Sequence, residues 1–314
     1  MRIVTADELG RILAYPALID ALAEAFRGEI EVPVRHHHTI GQPGADATLL
    51  LMPAWSGAAS GGQRFLGCKI VTVFPDNGKL NKPAVQGQYL LMSGDTGEPF
   101  AMLEGRTLTA WRTACASALA SRYLSRKDAS HLMIFGAGVL APHLVRAHAA
   151  VRPIKRVTIW NRTQAHAVEM GFKLAEQGFV ADVTDDLEAM READVISCAT
   201  LSTVPLVRGE WLKAGTHVDL VGGFTPKMRE ADDEAMRRAR VFVDTRGGAL
   251  KEAGDLVDPL GRGVIKESDV QGDLFNLCRD VSPGRVEADE ITLFKSVGTA
   301  IEDLAAAMLV WKSL

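Results

Sequence analysis

The sequence predicts an α/β protein with a doubly wound parallel sheet joined to a second, mixed-sheet α/β domain. Three observations carry this. From residue 131 to residue 244, short apolar strands alternate with helical stretches, the pattern of a parallel sheet covered on both faces. Before residue 107, strand follows strand with turns between, which suits an antiparallel or mixed sheet. At the start of the alternating half, an apolar strand runs straight into Gly136-Ala137-Gly138-Val139-Leu140-Ala141 and then into an amphipathic helix. That turn leaves backbone N–H groups free at a helix N-terminus, where they can surround the phosphates of a dinucleotide. A chain of 314 residues has room for two domains of roughly 150 residues each.

In chain order, residues 5–13 read as a short helix. Pro16 opens a second helix that runs to Arg27, with Leu18, Ile19, Leu22 and Phe26 at helical spacing. Residues 32–40, 47–53 and 65–73 read as strands, and 85–92 and 99–103 as a hairpin about Ser93-Gly94-Asp95-Thr96-Gly97. A helix follows over 107–124, with Leu108, Trp111, Cys115, Leu119 and Tyr123 along one side. Its many alanines make it narrow, so it can bridge the two halves closely. In the alternating half the strands are 131–135, 156–160, 194–199, 217–221 and 240–244. The helices run from about 141 to 151 and over 164–177, 185–192 and 230–238. Residues 254–272 read as loop, and a last helix spans 296–311.

A net charge of −4 gives no reason to expect nucleic acid or an anionic membrane as partner. The N-terminus has no apolar signal core, and no apolar run approaches the ~18 residues of a membrane span. Cys68, Cys115, Cys198 and Cys278 are scattered, as small core residues are in a reducing compartment, and a cytoplasmic protein is expected. His36-His37-His38 does not indicate a metal, because neighbours on a strand point to opposite faces and no second ligand cluster is visible.

The second strand of a dinucleotide domain selects the cofactor. An acid at its end binds the ribose 2′-hydroxyl of NAD, whereas a base favours the 2′-phosphate of NADP. Here that position reads Trp160-Asn161-Arg162-Thr163, with no carboxylate. Arg162 can fork onto a phosphate, and Asn161 and Thr163 can donate beside it. NADP(H) is therefore favoured, with NAD(H) second. Ala199 and Thr200, after the strand 194–199, are expected on the adenosine side.

Taken together, Leu51-Met52-Pro53-Ala54, Gly67-Cys68-Lys69, Thr109-Ala110-Trp111-Arg112-Thr113-Ala114, Phe135-Gly136-Ala137-Gly138-Val139, Trp160-Asn161-Arg162-Thr163, Val221-Gly222-Gly223 and Leu293-Phe294-Lys295-Ser296-Val297-Gly298-Thr299-Ala300 resemble the ornithine cyclodeaminase/mu-crystallin family over nearly the whole chain. The resemblance implies a homodimer. It implies a substrate and dimerisation domain of residues 1–118, rejoined by 296–314, and an inserted Rossmann-type domain of 119–295 with a substrate held between the two. It also implies that Arg35, Lys69 and Arg112 anchor the α-carboxylate of a small amino or imino acid, with Met52, Ser296 and Gly298 beside the substrate. Val221 and Gly222 join the cofactor residues on the same ground.

One departure from the family pattern is informative. Cyclodeaminases carry an aspartate directly after the paired glycines, as acid/base for ring closure with loss of ammonia. This chain has Phe224, which cannot carry a proton. What remains is hydride transfer to a cyclic imine such as Δ1-pyrroline-2-carboxylate or Δ1-piperideine-2-carboxylate, with Lys69 as proton donor and Phe224 against the ring. The segment Phe224-Thr225-Pro226-Lys227-Met228-Arg229-Glu230 also resembles the pyrroline-2-carboxylate (ketimine) reductase branch. The alternatives are an ornithine cyclodeaminase using NAD+, with Asp219 as substitute acid, an alanine dehydrogenase, or a mu-crystallin-like NADPH-dependent ligand binder.

Overall fold

The chain folds as two units, one of Met1–Thr113 with Thr299–Leu314 and the other of Ala114–Gly298; the computed structural model describes residues 1–58 and 61–314. In the first unit the strands are β1 (Arg2–Val4), β2 (Ile30–Glu31), β3 (His36–Ile40), β4 (Ala47–Ser56), β5 (Phe65–Val73), β6 (Val85–Ser93) and β7 (Pro99–Glu104). Their order in the sheet is β1-β7-β6-β5-β4-β2, with β3 also paired to β4. β1 lies parallel to β7 and the other pairs are antiparallel, so the sheet is mixed.

Helix α1 (Ala6–Ile12) starts at Thr5, whose hydroxyl accepts from the Glu8 N–H while the Glu8 carboxylate accepts from the Thr5 N–H, a reciprocal cap. Helix α2 (Tyr15–Arg27) has Pro16 in its first turn, where no N–H is needed, and buries Leu18, Ile19, Leu22 and Phe26. The C-terminal helix, Ala300–Lys312, packs against α2 and crosses β4, β5 and β6. It is buried almost all round, and its alanines allow the sheet to approach. Near its end Trp311 stacks on Phe100 with centroids 4.9 Å apart.

Helix α3 (Gly105–Leu124) carries the chain across the division between the units. The second unit then holds β8 (His131–Phe135), β9 (Arg156–Trp160), β10 (Val180–Thr184), β11 (Val195–Cys198), β12 (His217–Leu220), β13 (Arg240–Val243), β14 (Val270–Asp273) and β15 (Thr292–Lys295). All pair in parallel in the order β10-β9-β8-β11-β12-β15-β13-β14. β8, β11, β12 and β15 are buried at every residue, as strands covered on both faces must be. The covering helices are α4 (Ala141–Ala149), α5 (Gln164–Ala175), α6 (Asp233–Arg238), α7 (Arg246–Glu252), α8 (Gly254–Gly261) and α9 (Leu274–Cys278). The chain leaves β8 towards β9 on one side and resumes at β11 on the other, so the glycine turn opens at the point where strand order reverses.

Several segments differ from their sequence-based expectation. The strand expected over 32–40 starts only at His36, since Pro33 has no N–H to give a ladder, and Arg35 therefore stands in the connection ahead of β3. The last helix starts at Ala300, not at 296: Gly298 has φ +80° and Thr299 is extended, neither of which a helix accepts. Residues 254–272, expected as loop, contain α8 and most of β14. Strands β1, β2, β10 and β15 have no counterpart in the sequence reading. β1 is three residues long, β10 is a largely exposed edge, and β15 ends in a buried lysine that breaks its apolar pattern. Among the described residues no helix is long and apolar enough to cross a membrane, and no group of three His, Cys, Asp or Glu is placed to hold a metal.

Candidate functional site

In the second unit, five segments follow adjacent parallel strands and so gather along one edge of the sheet, in the order β9, β8, β11, β12, β15. They hold Asn161-Arg162-Thr163, the glycine turn from Gly136 to Leu140, Ala199-Thr200, Val221-Gly222 with Phe224, and Ser296 with Gly298. Open parallel sheets bind their ligands at this carboxyl edge.

The two glycines of the turn do different things. Gly136 has φ +103°, and a Cβ there would stand 2.7 Å from the Ala199 carbonyl oxygen. The protein itself requires glycine at that position. A Cβ on Gly138 would meet nothing within 4 Å. No protein group asks for glycine there, so the open face is room for a bound group to approach the backbone, as a pyrophosphate does. Helix α4 begins next with no side-chain cap on its first N–H groups, which suits an anion. The residues present thus fit a dinucleotide.

Asn161 corrects one expectation. Its Oδ1 accepts from the Ala137 N–H at 3.2 Å, and its Nδ2 donates to the Thr163 carbonyl at 2.7 Å. The amide therefore ties the glycine turn to the end of β9 instead of reaching for a phosphate. Arg162 and Thr163 are both exposed, and the Thr163 hydroxyl makes no cap to α5.

Behind this edge lies a group that sequence reasoning missed. Glu230, wholly buried, accepts from the Thr200 N–H (2.7 Å), the Thr200 hydroxyl (2.8 Å), the Gly222 N–H (2.8 Å) and the Gly223 N–H (3.3 Å). Burial pushes its carboxyl up to about 7. Asp255 accepts from the Glu230 and Ala231 N–H groups and faces Lys295 Nζ at 3.3 Å. Farther along, Asp244 Oδ2 accepts from the Val297 and Gly298 N–H groups at 2.8 and 2.7 Å. Ser296 is fixed by its own N–H to the Leu220 carbonyl at 3.1 Å. Thus Glu230 fixes the segments after β11 and β12, and Asp244 the one after β15. Glu230 closes the segment 224–230, but nothing local in the sequence assigned a role to it or to Asp244.

Phe224 lies in the loop so held and is 45% exposed. Asp219 cannot take over its missing proton. It is fully buried within β12, where Oδ2 accepts from the Ser197 hydroxyl at 2.6 Å and meets His148 Nε2 at 3.3 Å.

In the first unit, Lys69 on β5 and Arg112 on α3 do come together, both almost completely buried. They meet on carboxylates of the C-terminal helix. Lys69 Nζ lies 2.9 Å from Asp303 Oδ1 and 2.8 Å from Oδ2, and 3.4 Å from the Thr109 hydroxyl. Arg112 Nε donates to Asp303 Oδ1 at 3.0 Å, and its Nη1 donates to Glu302. Burial, reinforced by Arg112, lowers the Lys69 ammonium to about 8, with Asp303 and Glu302 opposing. Met52 on β4 stands directly opposite Lys69 in the ladder and is buried. Arg35 is half-buried one residue before His36, which pairs with Leu51. Gly67 is glycine because a Cβ would fall 2.0 Å from the buried Tyr89 hydroxyl. The acid pair Glu302-Asp303, inside an otherwise apolar helix, was the sequence signal for these partners.

A family model described as ornithine cyclodeaminase/mu-crystallin matches residues 2–314. Protein SAR DEFICIENT 4 of Arabidopsis thaliana is 41% identical, over 98% of this chain and 95% of its own. A Δ1-pyrroline-2-carboxylate reductase of Colwellia psychrerythraea is 38% identical, over 100% of this chain and 99% of its own. Among solved structures, the Δ1-pyrroline-2-carboxylate reductase of Thermococcus litoralis, in complex with NADH and L-proline, superposes with a TM-score of 0.92 at 32% identity, covering 100% of this chain and 97% of that one.

Proposed function

The chain belongs to the ornithine cyclodeaminase/mu-crystallin family, and we propose that within it the protein is a cytoplasmic, homodimeric oxidoreductase that uses NADPH to reduce a small cyclic imino acid, Δ1-pyrroline-2-carboxylate or Δ1-piperideine-2-carboxylate, to the cyclic amino acid. The observation that carries this reading is Phe224, a residue without a titratable group in the loop held by Glu230, with Asp219 sealed in the core. Ring closure with loss of ammonia needs an acid/base there; imine reduction does not. Relatives named for that reduction support it along the whole chain.

The dinucleotide, when bound, supplies the hydride that reaches C2 of the imine. The glycine turn, Arg162 and Thr163 hold it. Arg112, Lys69 and Arg35 orient the substrate carboxylate, and Arg112 suits this through its planar fork. As the C=N π pair withdraws onto nitrogen, the Lys69 ammonium gives the ring nitrogen its proton. Phe224 and Met52 keep the ring side apolar and dry. Orientation and electrostatics of this kind account for several kcal/mol of barrier.

The direct test is purified protein with NADPH and each imine, followed at the nicotinamide absorbance; no consumption with either ring size refutes the reading. The preference for NADPH is tested by Arg162→Ala. Loss of one charge-assisted contact of ~1.5–3 kcal/mol predicts a fall in kcat/KM for NADPH of roughly 10- to 100-fold with little change for NADH. Equal loss with both cofactors would remove Arg162 from that role.

A further inference from the structure

We infer that Asp303 is the positioning residue of the proposed reductase site, holding the Lys69 ammonium and the Arg112 guanidinium on a single buried carboxylate so that both face the substrate at fixed spacing. The inference rests on the reductase reading for its purpose, but the geometry stands by itself. Asp303 is fully buried in the first turn of the C-terminal helix, and one of its oxygens, Oδ1, is shared by Lys69 Nζ at 2.9 Å and Arg112 Nε at 3.0 Å. Two like charges brought this close would repel strongly in a medium from which water is excluded. A carboxylate between them turns the repulsion into a bridge. Glu302 completes the balance by pairing with the other side of Arg112, so two cations and two anions leave the buried group neutral.

The bridge has a chemical consequence for Lys69. A lysine that delivers a proton must arrive charged, and burial together with Arg112 works against that charge. Asp303 is the main opposing group and Glu302 a lesser one. The other titratable neighbours are neutral at working pH. The Tyr89 hydroxyl, opposite Lys69 on β6, and the adjacent Cys68 thiol are both pushed up by burial. Lys69 therefore owes its proton chiefly to Asp303, and the alkaline limit of turnover follows from that bond.

The test is Asp303→Asn, with Asp303→Ser as a smaller neutral replacement and circular dichroism to check folding. Two readouts are taken in each: the pH profile of kcat/KM with NADPH and cyclic imine, and the titration of Lys69 followed by NMR of 13Cε-labelled lysine, assigned by Lys69→Arg. In the wild type both should break near pH 8, where burial and Arg112 lower the Lys69 ammonium. In the neutral variants both should move down by about one pH unit or more, the effect of removing an opposite charge within hydrogen-bonding range. Glu302→Gln, which removes the ion pair with Arg112 and the lesser of the two charges that favour the Lys69 ammonium, should move them less. An unmoved Lys69 titration in the Asp303 variants, or an equal shift in Glu302→Gln, overturns the inference. If the wild type reduces no imine while the titration still moves, the reductase reading fails and the Asp303 bridge stands.

Discussion

Replacing the two glycines of the turn one at a time by alanine separates folding from binding. At Gly136 the new Cβ would press to 2.7 Å from the Ala199 carbonyl oxygen, at a φ of +103°. The backbone conformation costs a non-glycine residue roughly 1–2 kcal/mol. The overlap adds about 1–3 kcal/mol, because the obstacle is backbone and cannot rotate away. Gly136→Ala should therefore lose about 3 kcal/mol, which for a unit of this size corresponds to a fall of roughly 6–12 °C in Tm. At Gly138 the Cβ meets nothing within 4 Å, so Gly138→Ala should melt within about 0.5 kcal/mol of the wild type. Its effect should instead appear in NADPH binding, where the methyl group occupies the face open to the pyrophosphate. The assay is thermal and urea unfolding without cofactor, then fluorescence titration with NADPH. A Gly138→Ala protein that binds NADPH as the wild type does, or a Gly136→Ala protein of unchanged stability, would refute the division of roles.

Two further outcomes follow from particular side chains. Burial raises the Asp194 carboxyl, but the N–H groups of Ser130 and His131 and the Lys213 ammonium outweigh it and hold it at about 2. Since an unfolded aspartate ionises near ~4, the stabilisation is complete above that pH and is lost as pH falls through 2; Asp194→Asn should cost about 1–2 kcal/mol at pH 7 and almost nothing near pH 2, measured by urea unfolding at both. Phe224→Ala should leave Tm nearly unchanged, because the ring is 45% exposed, yet raise KM for the cyclic imine about 5- to 30-fold through loss of ~1–2 kcal/mol of apolar contact; a matching fall in Tm would make the ring structural instead.

The sequence by itself determined the features that repeat locally. Strand–helix alternation after residue 131 and strand succession before residue 107 are written in short apolar runs, alternation and helical spacing, and β5, β8 and β9 fall where those patterns put them. The glycine turn was equally legible, because its chemistry lies in six consecutive residues. Elements without such a pattern were not: β15 carries the buried Lys295, and β10 is a mostly exposed edge.

Only the tertiary structure decided what each charged group meets. Lys69 and Arg112 could be picked out as cations with an anionic partner, but not that Asp303, more than two hundred residues beyond Lys69, would bridge them. Asp219 read as a possible acid until β12 placed it among Ser197 and His148 in the core. Glu230 and Asp244 look like ordinary surface acids until folding brings the N–H groups of distant loops onto them. Periodicity is a property of neighbours along the chain. A buried charge is satisfied by partners across it; an acid pair in an apolar helix, as at Glu302-Asp303, marks that such partners are needed, but only folding decides which distant residues they are.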